Sequence, residues 1–158
     1  MTIAVDFDGT IVEHKYPAIG KEIPYAIDTL KELIEENHKV ILWTAREGKL
    51  LEDAVEFCRK RGLEFYAVNA DYPDANWENY RQTRKLRVDM FIDDRNLGGL
   101  PDWVTIYEMI TNDMSYGDLI EKAVSEEVGD VEEDESFLDR LKDSLIGSKK
   151  KHRSSHHW

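Results

Sequence analysis

The sequence predicts a doubly wound, mainly parallel α/β sheet, and three observations carry the prediction. Short apolar runs alternate with amphipathic helical patterns up to about residue 107. The run Val40-Ile41-Leu42-Trp43 is continuously apolar, as expected of a parallel strand covered on both faces. Polar or acidic residues stand just beyond three of the runs, at the edge where such sheets place their sites.

The elements follow in order. Ile3 to Val5 form a short strand ending at Asp6. Pro24 suits the first turn of a helix, where its missing N–H has no partner to lose. Ala26, Ile27, Leu30, Leu33 and Ile34 then fall at helical spacing. Val40 to Trp43 is the second strand. Leu51, Ala54, Val55 and Cys58 make the stripe of a second helix, and Gly62 stands where a left-handed C-terminal cap is wanted. Phe65 to Val68, Val88 to Ile92 and Val104 to Tyr107 read as three further strands, giving five in all.

Composition narrows the class. The chain has 158 residues, 41% hydrophobic and 34% charged, which suits one soluble domain with a short appendage. No apolar run approaches a membrane span, and the opening MTIAVDFDG lacks a basic leader region. A lone Cys58 on an apolar stripe reads as a core residue and fits a reducing cytoplasm. The net charge of -12 argues against a nucleic-acid footprint over the whole surface. That charge is uneven: residues 112–146 hold twelve acids and three bases, whereas 147–158 hold four bases and no acid. Three segments are therefore expected: 1–111 as the main domain, 112–146 as an acidic helical extension and 147–158 as a basic mobile tail.

Chemistry concentrates at the strand ends. In Asp6-Phe7-Asp8-Gly9-Thr10, residues two apart share a side if extended geometry persists, so Asp6 and Asp8 present two carboxylates to one spot. Gly9 allows a sharp turn and a close approach to ligand. Asp93 and Asp94 add two more carboxylates after Phe91-Ile92. Four acids at one edge repel unless compensated, and a hard divalent cation such as Mg2+, shared with a substrate phosphate, resolves the conflict. Thr44 offers a hydroxyl to a phosphate oxygen, and Lys85 a positive charge. Arg46, Gly9 and Thr10 are weaker substrate candidates, as are Glu13, His14 and Lys15 in the following loop.

These motifs resemble those of the haloacid-dehalogenase-like (HAD) hydrolase superfamily. DFDGT at 6–10, WTAR at 43–46, Lys85 and FIDD at 91–94 are similar to its four motifs and appear in the same order. The resemblance spans roughly residues 1–111. It implies a Rossmannoid three-layer sandwich and a Mg2+-dependent phosphatase acting on phosphate monoesters. It also implies Asp6 as nucleophile, forming an aspartyl-phosphate, and Asp8 as general acid and base. Thr44 and Lys85 would hold the phosphoryl oxygens. The Asp6 carboxylate, the Asp8 carbonyl, Asp93 and Asp94 would serve the metal. The connections after Thr10 and Val68 are too short for the cap domain many members carry, so a capless form is expected.

Alternatives from other classes are a non-catalytic HAD-like domain that binds phosphate or a partner, and a receiver-type phospho-acceptor. The receiver reading fits poorly, because no acid ends the run Phe65 to Val68. A phosphotransferase using the same Asp6 chemistry also fits the motifs. Specificity is expected in loops 11–23 and 69–84, with Asn69 to Thr83, which includes Trp77, as a partial lid. Arg95 and Asn96 are expected to brace the Asp93–Asp94 turn. Farther on, Leu119, Ile120, Ala123 and Val124 predict a helix, and Ser136 with Asp139 opens another over Phe137, Leu138, Leu141 and Leu145. An open site and an unassigned apolar helix would suit a homodimer.

Overall fold

A computed structural model describes residues 1–75 and 85–128 of the chain, with side chains to residue 125. The predicted Ser136 helix, the basic tail and Trp77 lie outside the described residues. The chain divides into two units, Met1–Asp113 and Met114–Trp158.

The first unit is an α/β structure built on a four-stranded, all-parallel sheet. In chain order it contains β1 (Thr2–Val5), α1 (Ala26–Glu35), β2 (Lys39–Leu42), α2 (Gly48–Arg59), β3 (Ala67–Val68), β4 (Met90–Ile92) and α3 (Trp103–Thr111). Strand order is β3-β2-β1-β4. Ile3 is in register with both Val40 and Met90, and Val5 with both Leu42 and Ile92. The pairing of β3 extends past its two residues, because Tyr66 N donates to Val40 O (2.8 Å) and Asn69 N to Leu42 O (2.7 Å).

Strand alternation sorts the core into two layers. Ile3, Val5, Val40, Leu42 and Ile92 belong to the larger layer, with Leu30 and Leu33 of α1, Ala54 and Cys58 of α2, and Trp103, Ile106 and Ile110 of α3. Burial of Cys58 pushes its thiol up to about 12, so it behaves as a small core hydrophobe. Ala4, Ile41 and Ala67 point the other way and meet Leu86, with Trp43, Val88 and Phe91 packed against them. The three helices of this unit therefore pack on one face. Among the described residues the opposite face is met by the segment leading into β4.

One predicted strand is corrected. Val104 to Tyr107 does not add a fifth strand; it lies within α3. Asp102 supplies the reason, since its Oδ1 accepts from Val104 N (3.0 Å) and Thr105 N (3.1 Å) and so satisfies the free N–H groups of a helix start. Trp103, Ile106 and Ile110 then stand three and four residues apart and are all buried. Pro24 falls two residues ahead of α1 rather than in its first turn, in a turn that Tyr25 closes in the left-handed region (φ 65°). Gly62 adopts the left-handed conformation expected of it (φ 79°).

The second unit contains α4 (Tyr116–Val128), the helix anticipated from Leu119, Ile120, Ala123 and Val124. Its start is held by Ser115 and Asp118, whose Oδ2 accepts from Ser115 N at 2.7 Å and from Ser115 Oγ at 2.6 Å. No helix among the described residues is long and apolar enough to cross a membrane.

Candidate metal centre and adjoining cavity

The strand order itself selects the site. The chain steps from β1 to β2 to β3 in one direction and then returns to the other side of β1 with β4. The crevice beyond the carboxyl ends of β1 and β4 is thus the switch point of the sheet, where α/β folds bind ligands. Asp6 follows the last residue of β1, and Asp93 follows the last residue of β4. Asp6 N donates to Ile92 O (3.0 Å), which locks the two strand ends together.

After Asp6 the backbone folds over tightly. Phe7 O accepts from Ile11 N (3.0 Å) and Val12 N (3.1 Å), and Gly9 N donates to Val12 O (2.7 Å). Gly9 takes φ 96°, and a Cβ there would fall on the Asp94 carboxylate. Gly9→Ala is therefore expected to cost about 1–2 kcal/mol in backbone conformation alone and to push Asp94 aside. Thermal unfolding with divalent-ion titration checks this; unchanged stability and ion affinity would refute it.

Asp6, Asp93 and Asp94 each bring a carboxylate oxygen within 4.8 Å of the others, a group able to hold a metal ion. Burial is the main cause that pushes the Asp6 carboxyl from 3.8 up to about 6. The charges of Asp93, Asp94 and Asp8 push the same way, against a hydrogen bond from the Phe7 backbone. Asp94 Oδ1 is buried and has no hydrogen-bond partner among the described residues. A hard cation with oxygen ligands would meet that oxygen and offset the repulsion, so the donor set fits magnesium. The turn is braced as expected: Arg95 N donates to Asp93 Oδ1 (2.8 Å) and Asn96 Nδ2 to Asp93 O (2.9 Å).

Asp8 stands apart from this trio. Arg46 Nε donates to Asp8 Oδ2 (2.6 Å) and Arg46 Nη2 to Asp8 Oδ1 (2.7 Å), a bidentate pair. Arg46 is 1% exposed. Its Nη1 also donates to Pro17 O (3.0 Å) and its Nη2 to Ala18 O (2.8 Å), and its guanidinium lies 5.1 Å from the Phe7 ring centre. The hydrogen bonds to Asp8 hold the guanidinium more firmly in its charged form than usual. Arg46 thus ties together Asp8 and the 16–18 loop. Both Asp8 oxygens are committed to it, so the acid–base role implied for Asp8 requires the carboxylate to leave the guanidinium.

The other expected residues divide into two groups. Thr44 lines a cavity of about 680 Å³ together with Asp6, Asp8, Arg46 and Asp93. Its backbone is clamped by Asn69, whose Oδ1 accepts from Thr44 N (2.8 Å) and whose Nδ2 donates to Thr44 O (2.9 Å). Thr10 is fully buried and serves as a brace: its hydroxyl accepts from Asp94 N (3.0 Å), and its carbonyl accepts from Trp103 Nε1 (3.0 Å). Lys85 is exposed, with Nζ 6.0 Å from the centre of the Phe91 ring. It is not among the described residues lining the cavity. His14, Tyr16, Trp43 and Arg95 do line it, whereas Glu13 and Lys15 do not. Tyr16 went unnoticed in the sequence, and only its place in the loop after the DFDGT motif could have marked it.

Fold and site together define an α/β protein whose parallel sheet carries an acidic cluster able to hold a metal. No protein-family model matches the chain, and no curated protein matches it. Among solved structures, it is similar to a conserved protein coded by a locus of Bacteroides thetaiotaomicron. The two are 61% identical, with a TM-score of 0.71, over 75% of this chain and 96% of the other. The chain belongs to the same family as that conserved protein.

Proposed function

We propose that the protein is a Mg2+-dependent phosphohydrolase of the HAD type that cleaves phosphate monoesters through Asp6. The observation that carries the reading is the meeting of Asp6, Asp93 and Asp94 at the switch point, with a buried Asp94 oxygen lacking any partner among the described residues. Magnesium held there would neutralise charge on the phosphoryl oxygens. An Asp6 carboxylate oxygen bonds to phosphorus as the ester P–O bond breaks. Asp8, released from Arg46 and protonated by solvent, gives that proton to the departing oxygen. It then takes one from the water that attacks phosphorus and restores the Asp6 carboxylate. The Thr44 hydroxyl donates to a phosphoryl oxygen. For Lys85 to do the same, its side chain must swing from the Phe91 ring.

The commitment of Asp8 to Arg46 favours a second reading, a non-catalytic domain that binds phosphate. One experiment separates the two: phosphate release from an aryl phosphate, with and without magnesium, for wild type and Asp6→Asn. Release that needs both magnesium and Asp6 is expected. Release at the wild-type rate from Asp6→Asn would sink the mechanism. Binding of inorganic phosphate without any release would favour the second reading.

A further inference from the structure

We infer that the cavity beside the acidic cluster receives a leaving group with a planar ring, which makes the substrate class nucleoside monophosphates or related ring-bearing phosphate esters. This rests on the phosphohydrolase reading and says what the ester oxygen is attached to.

The lining carries the inference. At about 680 Å³ the cavity is larger than a phosphate alone requires and falls in the range of small-molecule sites. Its polar groups are largely spoken for. Asp6 and Asp93 belong to the metal cluster, Asp8 and Arg46 satisfy each other, and the Thr44 backbone is bonded to Asn69. A sugar-phosphate polyol needs a directed partner for each buried hydroxyl, and among the described residues the remaining wall offers few. Instead it presents the rings of His14, Tyr16 and Trp43. One side of Tyr16 lies near the Arg46 guanidinium, 5.4 Å from ring centre to Cζ, and the residue is 54% exposed. Its ring is thus steadied by Arg46 and still open to a ligand. Trp43 is half-buried, packed against the layer of Ala4 and Ile41, and also lines the cavity. Rigid rings of this kind recognise the π-face of a base and tolerate changes in its edge. Arg95 also lines the cavity, and its side chain makes no ion pair among the described residues. It gives the wall a cation for stacking or for an anionic substituent.

The test compares kcat/KM for adenosine 5′-monophosphate and glycerol phosphate, in magnesium, for wild type and Tyr16→Leu. Binding of adenosine 5′-monophosphate is measured on the same proteins. Tyr16 is exposed, so the variant leaves the core untouched. Wild type should prefer the nucleotide by about tenfold or more, the factor one base–aromatic stack is worth. Tyr16→Leu should bring that ratio towards unity, mainly through KM. Equal kcat/KM for both esters in wild type overturns the inference and leaves the phosphohydrolase reading standing. If neither ester is cleaved while an aryl phosphate is, the inference falls and the phosphohydrolase reading stands. If none of the three is cleaved, that reading falls and binding decides the ring subsite. Saturable nucleotide binding weakened in Tyr16→Leu supports the ring subsite; no binding, or binding indifferent to the substitution, overturns it.

Discussion

Asp6→Asn is expected to reduce magnesium-dependent phosphate release by at least about a thousandfold, as loss of a covalent nucleophile does. The same substitution is expected to stabilise the protein in chelator at neutral pH. Burial, with the charges of Asp93, Asp94 and Asp8, raises the Asp6 carboxyl from 3.8 to about 6, so the fold prefers it protonated. Stability from this group is full below pH 3.8 and is lost as pH rises through about 6. Asparagine does not titrate. The melting temperatures of wild type and Asp6→Asn should therefore converge near pH 4 and separate in favour of the variant by pH 7. Magnesium should reverse the order, since it raises wild-type stability through a carboxylate the variant lacks. Identical melting profiles across this range, with and without magnesium, would remove Asp6 from the metal centre.

Arg46→Ala is expected to destabilise the fold by about 3–5 kcal/mol, the usual penalty for leaving a buried charge without its partner. The guanidinium is 1% exposed and makes four hydrogen bonds, two to Asp8 and two to the carbonyls of Pro17 and Ala18. Its loss strands all of these acceptors. Arg46→Lys keeps the charge but not the planar fork, so it should recover only part of the loss. The double change Asp8→Leu with Arg46→Met removes both charges and should be less destabilising than Arg46→Ala alone. Urea unfolding of the three variants measures each term. A change below 1 kcal/mol for Arg46→Ala would mean that the pair does not persist in solution.

How far the sequence could be read follows from the range of the forces involved. The strands β1 and β2 and the helices α1 and α2 were legible because burial imposes a local period, and Ile3, Val40, Leu30 and Ala54 obey it. Asp6, Asp93 and Asp94 were legible because each follows a strand end, and parallel strands place those ends side by side. Val104 to Tyr107 misled because a short apolar run suits either period; the deciding signal was Asp102, a polar residue placed just ahead of it. For Arg46 the sequence indicates only a substrate-facing side chain. Its partner lies 38 residues away, and no local pattern announces a bond formed only when two loops meet. Lys85 illustrates the same limit from the other side, since its order in the sequence says nothing about which way an exposed side chain turns.

The hydrogen bond from Trp103 Nε1 to Thr10 O has an optical consequence. This indole is 1% exposed and is bonded to the turn that also holds Asp94 through the Thr10 hydroxyl. Its emission should be that of a shielded chromophore, blue of a solvated indole, and sensitive to any shift of the turn. Trp43 lines the cavity, so its emission should respond to a bound ring. The protein thus carries two intrinsic gauges, one sensing the scaffold of the metal centre from behind and the other the ligand from in front. The chain holds four tryptophans, so each gauge is read alone only when the other three are replaced by Phe.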